Sequence, residues 1–433
     1  MKLVTDLSTT CLISTIKLYS FPRSGRLTAL FSGVYIMQSV NGILTHFANP
    51  DAVSSGSYPE HLKAISSLEK SRAAIDAISQ WPGYGATPLY TLDHLAKDIG
   101  VAKIWYKDES QRFHLKSFKA LGGAYAVARQ LQAQVADVTG EIPSVQDLLD
   151  KKFPDIVSQI VISCATDGNH GRSVAWGCQM FGCQCVIYIH RDVSEGRKQA
   201  KESFGAKVIR ITGNYDESVR HADREAKQLG RIIVSDTSYE GYMEIPKDVA
   251  LGYTVLLAES VEQMGNQIPT HVFIQGGVGG LASAVCAYFW ELWGDQRPRF
   301  IVVEPENANC LQESALAGSP VIVEGDLDTL MAGLACGEVS ALAWEILSIG
   351  TNDFLTVNEE TVPLTMQLLA RGFNGDPSIE AGESAVAGLA ALISAQNNPE
   401  QARLLGLDEN SQIYILGTEG ATDPELYQQL TGN

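Results

Sequence analysis

From about Ile160 the chain alternates short β-branched apolar runs with helical patterns, and small residues punctuate the junctions. QIVISCA leads through TDGNHG into RSVAWGCQMFG, and CVIYIH leads into SEGRKQAKESFG. AKVIRITG leads into NYDESVRHADREAKQLG, and RIIVSD precedes the longer helical run IPKDVALGYTVLLAESVEQMG. HVFIQGGVGG leads into LASAVCAYFWELWG, RFIVVEP follows, and SQIYILG with its exit TEGATDP closes the series. Strands that alternate with helices predict an α/β fold of parallel sheets covered on both faces. In such open sheets ligands bind beyond the carboxyl ends of the strands. That rule selects three polar loops as site material: ATDGNHG, QGGVGG and GTEGATD. The stretch 131–155 is polar and helical in composition and reads as an excursion away from the site.

Composition narrows the partners. The chain has 433 residues, 45% of them hydrophobic and 19% charged, with a formal net charge of -18. So acidic a surface repels nucleic acid and anionic membranes, and any phosphate must be held locally by backbone amides and a few side chains. The cysteines sit mainly in apolar runs such as GCQCVIYIH and ASAVCAYFW, which reads as reduced, buried thiols in a cytoplasmic protein. No cysteine–histidine spacing suits a metal, so no metal site is expected. Residues 1–36 differ from the rest: Lys2, Lys17, Arg23 and Arg26 stand against the single acid Asp6. This segment reads as a disordered extension preceding Met37, with a mitochondrial transit peptide as the alternative. The uncharged stretch 27–49 is too polar to span a bilayer.

Three local patterns carry chemistry. In KDESQRFHLKSFKALGGAYA, residues 107–126, Lys119 opens a helical run among apolar neighbours. Desolvation there would lower its pKa and favour the neutral amine that Schiff-base chemistry needs. TDGNHG, residues 166–171, joins a buried strand to a helix, so its amides suit an anion such as a carboxylate, and Asn169 can donate to a phenolate-type oxygen. GGVGG, residues 276–280, does the same for a phosphate. Taken alone, that loop also fits a dinucleotide fingerprint, with Gly277, Gly279 and Ala282 at the required spacing and Glu304 ending the next strand.

In this order the three motifs resemble the fold-type II, tryptophan-synthase-β-like enzymes that use pyridoxal 5'-phosphate (PLP). Within them the chain resembles the diaminopropionate ammonia-lyase family from about Tyr84 onward. The similarity covers KDES.RF, FK.LGGAYA, TDGNHGR, DT..EGY.EIP at 236–246, VEP at 303–305, LMAGLACGE at 330–338, GES at 382–384 and TEG.TD at 418–423. The departures are His114, where the family has a small residue, and Ala381 and Ala385 around GES. The resemblance implies two domains, each an open, mostly parallel sheet flanked by helices. Residues 37–124 and 241–433 would form the large PLP-binding domain and 125–240 the smaller one.

By the same resemblance Lys119 carries PLP as a Schiff base, Asn169 contacts its 3′-oxygen, and Gly276, Gly277, Val278, Gly279 and Gly280 hold its phosphate. Thr418 would meet the pyridine nitrogen. Thr166, Asp167, Gly168, His170 and Asp236 would bind the small amino-acid substrate, 2,3-diaminopropionate, with Asp236 on its β-amino group. Lys119 would be the base for the L-isomer and Asp167 the base for the D-isomer, and Asp236 would complete the catalytic set. The products would be pyruvate and two ammonia. A serine or threonine dehydratase is the alternative, which Asp167 disfavours because most relatives carry Ser there. The resemblance also implies a homodimer.

Overall fold

The computed structural model describes residues 33–432 apart from Ser54, Asp167, Asp192, Asn214 and Asn266. Its strands are β1 (Ile43–Ala48), β2 (Leu89–Thr91), β3 (Lys103–Asp108), β4 (Val161–Ala165), β5 (Gln184–Ile189), β6 (Lys207–Arg210), β7 (Ile232–Ile233), β8 (His271–Gln275), β9 (Arg299–Pro305), β10 (Asp353–Val357) and β11 (Gln412–Gly417). They form two sheets. The seven-stranded sheet has the order β1-β10-β9-β8-β11-β3-β2 and the four-stranded sheet the order β6-β5-β4-β7. Strands β10, β9, β8, β11 and β3 run parallel, and only the edge strands β1 and β2 run antiparallel to their neighbours. The small sheet is parallel throughout. Every residue of β8 and β10 is buried, as expected for strands covered by helices on both faces.

The four-stranded sheet takes all its strands from 161–233. Two of the expected domain boundaries fall inside helices. The helix Gly33–Ser39 crosses 36/37 and buries Ile36 and Met37 in the cluster that contains Phe373. The helix Lys119–Thr139 crosses 124/125. The rest of the expected extension, 1–32, lies outside the described residues.

The helix Lys119–Thr139 ties the two sheets together, and its glycines explain how. A Cβ on Gly122 would lie 2.5 Å from the Val249 carbonyl oxygen, and one on Gly252 would lie 2.7 Å from the Gly122 Cα. A Cβ on Gly123 would instead meet the Ser173 side chain, 2.3 Å from its Oγ. Backbone-to-backbone approach of this kind needs residues without side chains. It lets the helix pack closely against both Glu244–Met264 and Asn169–Phe181.

Just before that helix, the segment 109–118 carries three non-glycine residues in the left-handed region: Phe113 (φ 49°), His114 (φ 60°) and Lys116 (φ 56°). A buried ion network holds this segment. The Arg112 guanidinium donates to Glu109 at 2.8 and 2.9 Å and to Glu259 at 2.7 and 2.8 Å, and Lys107 Nζ donates to Glu259 at 2.8 Å. The KDES.RF motif is therefore a structural clamp under the entry to Lys119. Among the described residues, no helix is long and apolar enough to cross a membrane.

Candidate active site

Parallel strands share one carboxyl edge, so the loops that leave them gather on one side. The loop after β4 carries Thr166, Gly168, Asn169 and His170. Asp236 follows β7, the glycine turn 276–280 follows β8, Thr418 follows β11, and the segment after β3 ends at Lys119. The structure brings these five exits together.

Lys119 Nζ donates to Asp236 Oδ2 in a close ion pair, with 24% and 21% of the two side chains exposed. The Asp236 carbonyl oxygen is 3.6 Å from where a Cβ of Gly280 would stand, so the pair lies against the glycine turn. His170 fixes the third side. Its Nε2 donates to the Val234 carbonyl at 2.9 Å, and its Nδ1 faces Asp236 Oδ2 at 3.8 Å. Ser340 ties the turn to the Asp236 loop. Its backbone N–H donates to the Val278 carbonyl at 2.8 Å, and its Oγ shares a 2.7 Å hydrogen bond with Ser238 Oγ. The Thr418 carbonyl accepts from the Phe118 N–H at 3.1 Å, which pairs the exit of β11 with the residues leading into Lys119.

The electrostatics correct one expectation. Burial does work against a charge on Lys119, as its apolar neighbours suggest. Asp236 outweighs it and, with Tyr253, raises the amine above the ordinary lysine value. The carboxylate of Asp236 is disfavoured by burial, but Lys119 and His170 hold it below the usual aspartate range. Lys119 is thus an ammonium here because its partner is a carboxylate, a tertiary contact that local apolarity does not reveal.

The glycine turn separates phosphate from dinucleotide binding. Gly277 and Gly279 have φ of 61° and 93°. A Cβ on Gly276 would lie 2.6 Å from Glu304 Cγ, so the turn needs bare backbone. The helix Gly280–Trp293 starts from it, and the first amides of a helix have no intrahelical partner. Such a helix start can seat an anion such as a phosphate. Glu304 is not free to hold a ribose. It is fully buried, accepts from Leu311 N–H at 2.9 Å and Gln312 N–H at 2.8 Å, and burial pushes its carboxyl up to about 8. It caps the helix Cys310–Ala317. The residues present therefore fit PLP: a lysine amine paired with Asp236, and a glycine-rich helix start against that pair.

Asp167 lies outside the described residues. Sequence reasoning passed over Tyr253, whose ring centroid is 6.0 Å from Lys119 Nζ, and Glu419, which accepts from Asn169 Nδ2 at 2.6 Å. Tyr253 sits in an ordinary helical run and gives no signal of its own. Glu419 stands in the GTEGATD loop, where an acid beside Thr418 was a visible one. Among the described residues no three His, Cys, Asp or Glu side chains gather as a metal site would require.

The model of the family described as pyridoxal-phosphate dependent enzyme matches residues 80–407. Fold and site thus define a PLP-dependent enzyme. Diaminopropionate ammonia-lyase of Escherichia coli K12 is 40% identical over 353 residues, covering 80% of this chain and 87% of the relative. The enzyme of the same name from Salmonella typhimurium is 36% identical over 365 residues, covering 81% and 89%. The crystal structure of the Escherichia coli enzyme in complex with D-serine superposes with a TM-score of 0.82 at 35% identity, covering 91% of this chain and 98% of that one. The chain belongs to the diaminopropionate ammonia-lyase family.

Proposed function

We propose that this chain converts 2,3-diaminopropionate and one water into pyruvate and two ammonia. The observation that carries the reading is the Lys119–Asp236 pair beside the glycine turn, an amine and a carboxylate placed together at an anion seat. When bound, the cofactor withdraws electrons from the substrate Cα and acidifies its proton. Lys119 holds the cofactor, and the turn 276–280 and Asn169 bind its phosphate and its 3′-oxygen. Thr418 meets the ring nitrogen with a neutral group.

With Lys119 holding the cofactor, Asp236 would no longer face a free ammonium. A β-ammonium group of the substrate replaces it, and this selects a diamino acid over serine. Thr166, Gly168 and His170 receive the substrate carboxylate at the start of the helix Asn169–Phe181. After the substrate amine takes its place on the cofactor, Lys119 would be free again as an amine and would take the Cα proton of the L-isomer, with Asp167 taking that of the D-isomer.

The reading includes a two-domain division, 37–124 with 241–433 against 125–240, and a cytoplasmic homodimer. Its support is the family resemblance together with the strand sets of the two sheets. The test is the purified protein's visible spectrum before and after borohydride. Pyruvate and ammonia are then measured with 2,3-diaminopropionate, serine and threonine. A spectrum without a borohydride-sensitive band, or equal turnover of serine, would overturn it.

A further inference from the structure

Glu419 sits where three parts of the site meet. Its backbone lies in the bridge with Ser117, and Gly420 N–H donates to the Lys116 carbonyl at 3.0 Å, so it is anchored beside the entry to Lys119. Its side chain is buried, with 6% of the residue exposed. Oε2 accepts from Asn169 Nδ2 at 2.6 Å and Oε1 accepts from the Ser384 N–H at 3.3 Å. The Asn169 bond links the helix Asn169–Phe181 to the exit of β11.

A second buried acid, Glu383, is its neighbour. Burial and the charge of Glu419 push Glu383 up to about 8. Arg197, from the helix Glu195–Glu202, is the cation that acts on both, and Asp423 adds to the negative side. Burial pushes Glu419 upward as well, and the N–H donors that reach both of its oxygens, from Asn169 and Ser384, act against that and favour its ionised form.

An ionised carboxylate only accepts hydrogen bonds, so its partner on Asn169 must be the nitrogen and not the carbonyl oxygen. A neutral partner would not make that choice. Resting on the reading of Asn169 as the contact to the cofactor's 3′-oxygen, we propose that Glu419 is a positioning residue. Its carboxylate fixes which way round the Asn169 amide sits when it meets PLP.

The test uses full-length apoenzyme and PLP, with cofactor affinity and the visible absorption of the bound cofactor as readouts. The expected result for E419Q is a native circular dichroism spectrum, roughly tenfold weaker PLP binding, and a band displaced in the same direction as in N169A. The double variant N169A/E419Q is no worse than N169A. If E419Q does not fold, E419D supplies the reading: it keeps the charge, shortens the reach by one methylene and is expected to weaken PLP binding as well. A normal band and affinity in E419Q, or an additive loss in the double variant, would overturn the positioning role while leaving Asn169 in place. An unchanged band in N169A would overturn the Asn169 contact and the proposal with it.

Discussion

Replacing Asp236 by Asn tests the electrostatics that act on Lys119 before it meets the cofactor. At a charge separation of about 3 Å and an effective dielectric of about 20, the Lys119–Asp236 attraction is roughly 5 kcal/mol. Both side chains keep about a quarter of their exposure, so solvent screening reduces this to about 2–3 kcal/mol. At about 1.4 kcal/mol for each tenfold step, D236N raises the neutral fraction of Lys119 at a fixed pH by about a hundredfold. The neutral amine is the form that attacks an aldehyde. Stopped-flow absorbance of apoenzyme mixed with excess PLP between pH 6.5 and 9 therefore shows faster loading in D236N than in the unmodified protein, although turnover of diaminopropionate falls. The unmodified protein gains about tenfold in loading rate per pH unit without a plateau, because Lys119 sits above the ordinary lysine value. Superimposed loading profiles would refute the argument.

Stability follows the same pair. The contribution of Lys119 is complete below the ordinary lysine value and is lost only as pH rises through its higher folded value. That of Asp236 is complete above the ordinary aspartate value, near 3.9, and is lost as pH falls through its lower folded value. The part of the melting-temperature gap that comes from the Lys119–Asp236 pair is thus flat from about pH 5 to pH 9.

Three other substitutions probe separate parts of the structure. His114 is exposed with φ 60°, a conformation that costs a non-glycine residue roughly 1–2 kcal/mol. Because glycine also loses more backbone freedom on folding, H114G is expected to stabilise the protein by about 0.5–1 kcal/mol, and a lower melting temperature would contradict this. Glu259→Gln leaves Arg112 and Lys107 facing one buried charge in place of two and is expected to cost about 3–5 kcal/mol in urea unfolding, whereas a loss below about 1 kcal/mol would show that the clamp is not structural. Asp167→Asn is expected to lose about 10²–10⁴ in turnover of D-diaminopropionate while keeping most of that of the L-isomer, and equal losses would remove the assignment of two bases.

Much of the site was legible in the chain because its chemistry is local. The strand–turn–helix punctuation around 166–171 and 276–280 needs only neighbouring residues to specify it, and the parallel sheets follow from the alternation of apolar runs. The boundaries at 36/37 and 124/125 were less legible. Whether Ile36 is buried depends on a surface near Phe373 far along the chain, and the helix through 124/125 is set by glycines that meet Val249 and Ser173.

Sequence by itself determined the strand–helix alternation from β4 to β9, the strand β11, the parallel sheets, the glycine turn and the family, whereas β1, β2, β3 and β10 carried no such mark. The features it determined are written in residue types and short spacings, which the backbone obeys locally. Tertiary structure alone decided the ionisation of Lys119, the employment of Glu304 as a helix cap and the link from Asn169 to Glu419. The charge on a group and its hydrogen-bond partner depend on what other segments bring within a few ångströms of it, and no local pattern carries that information.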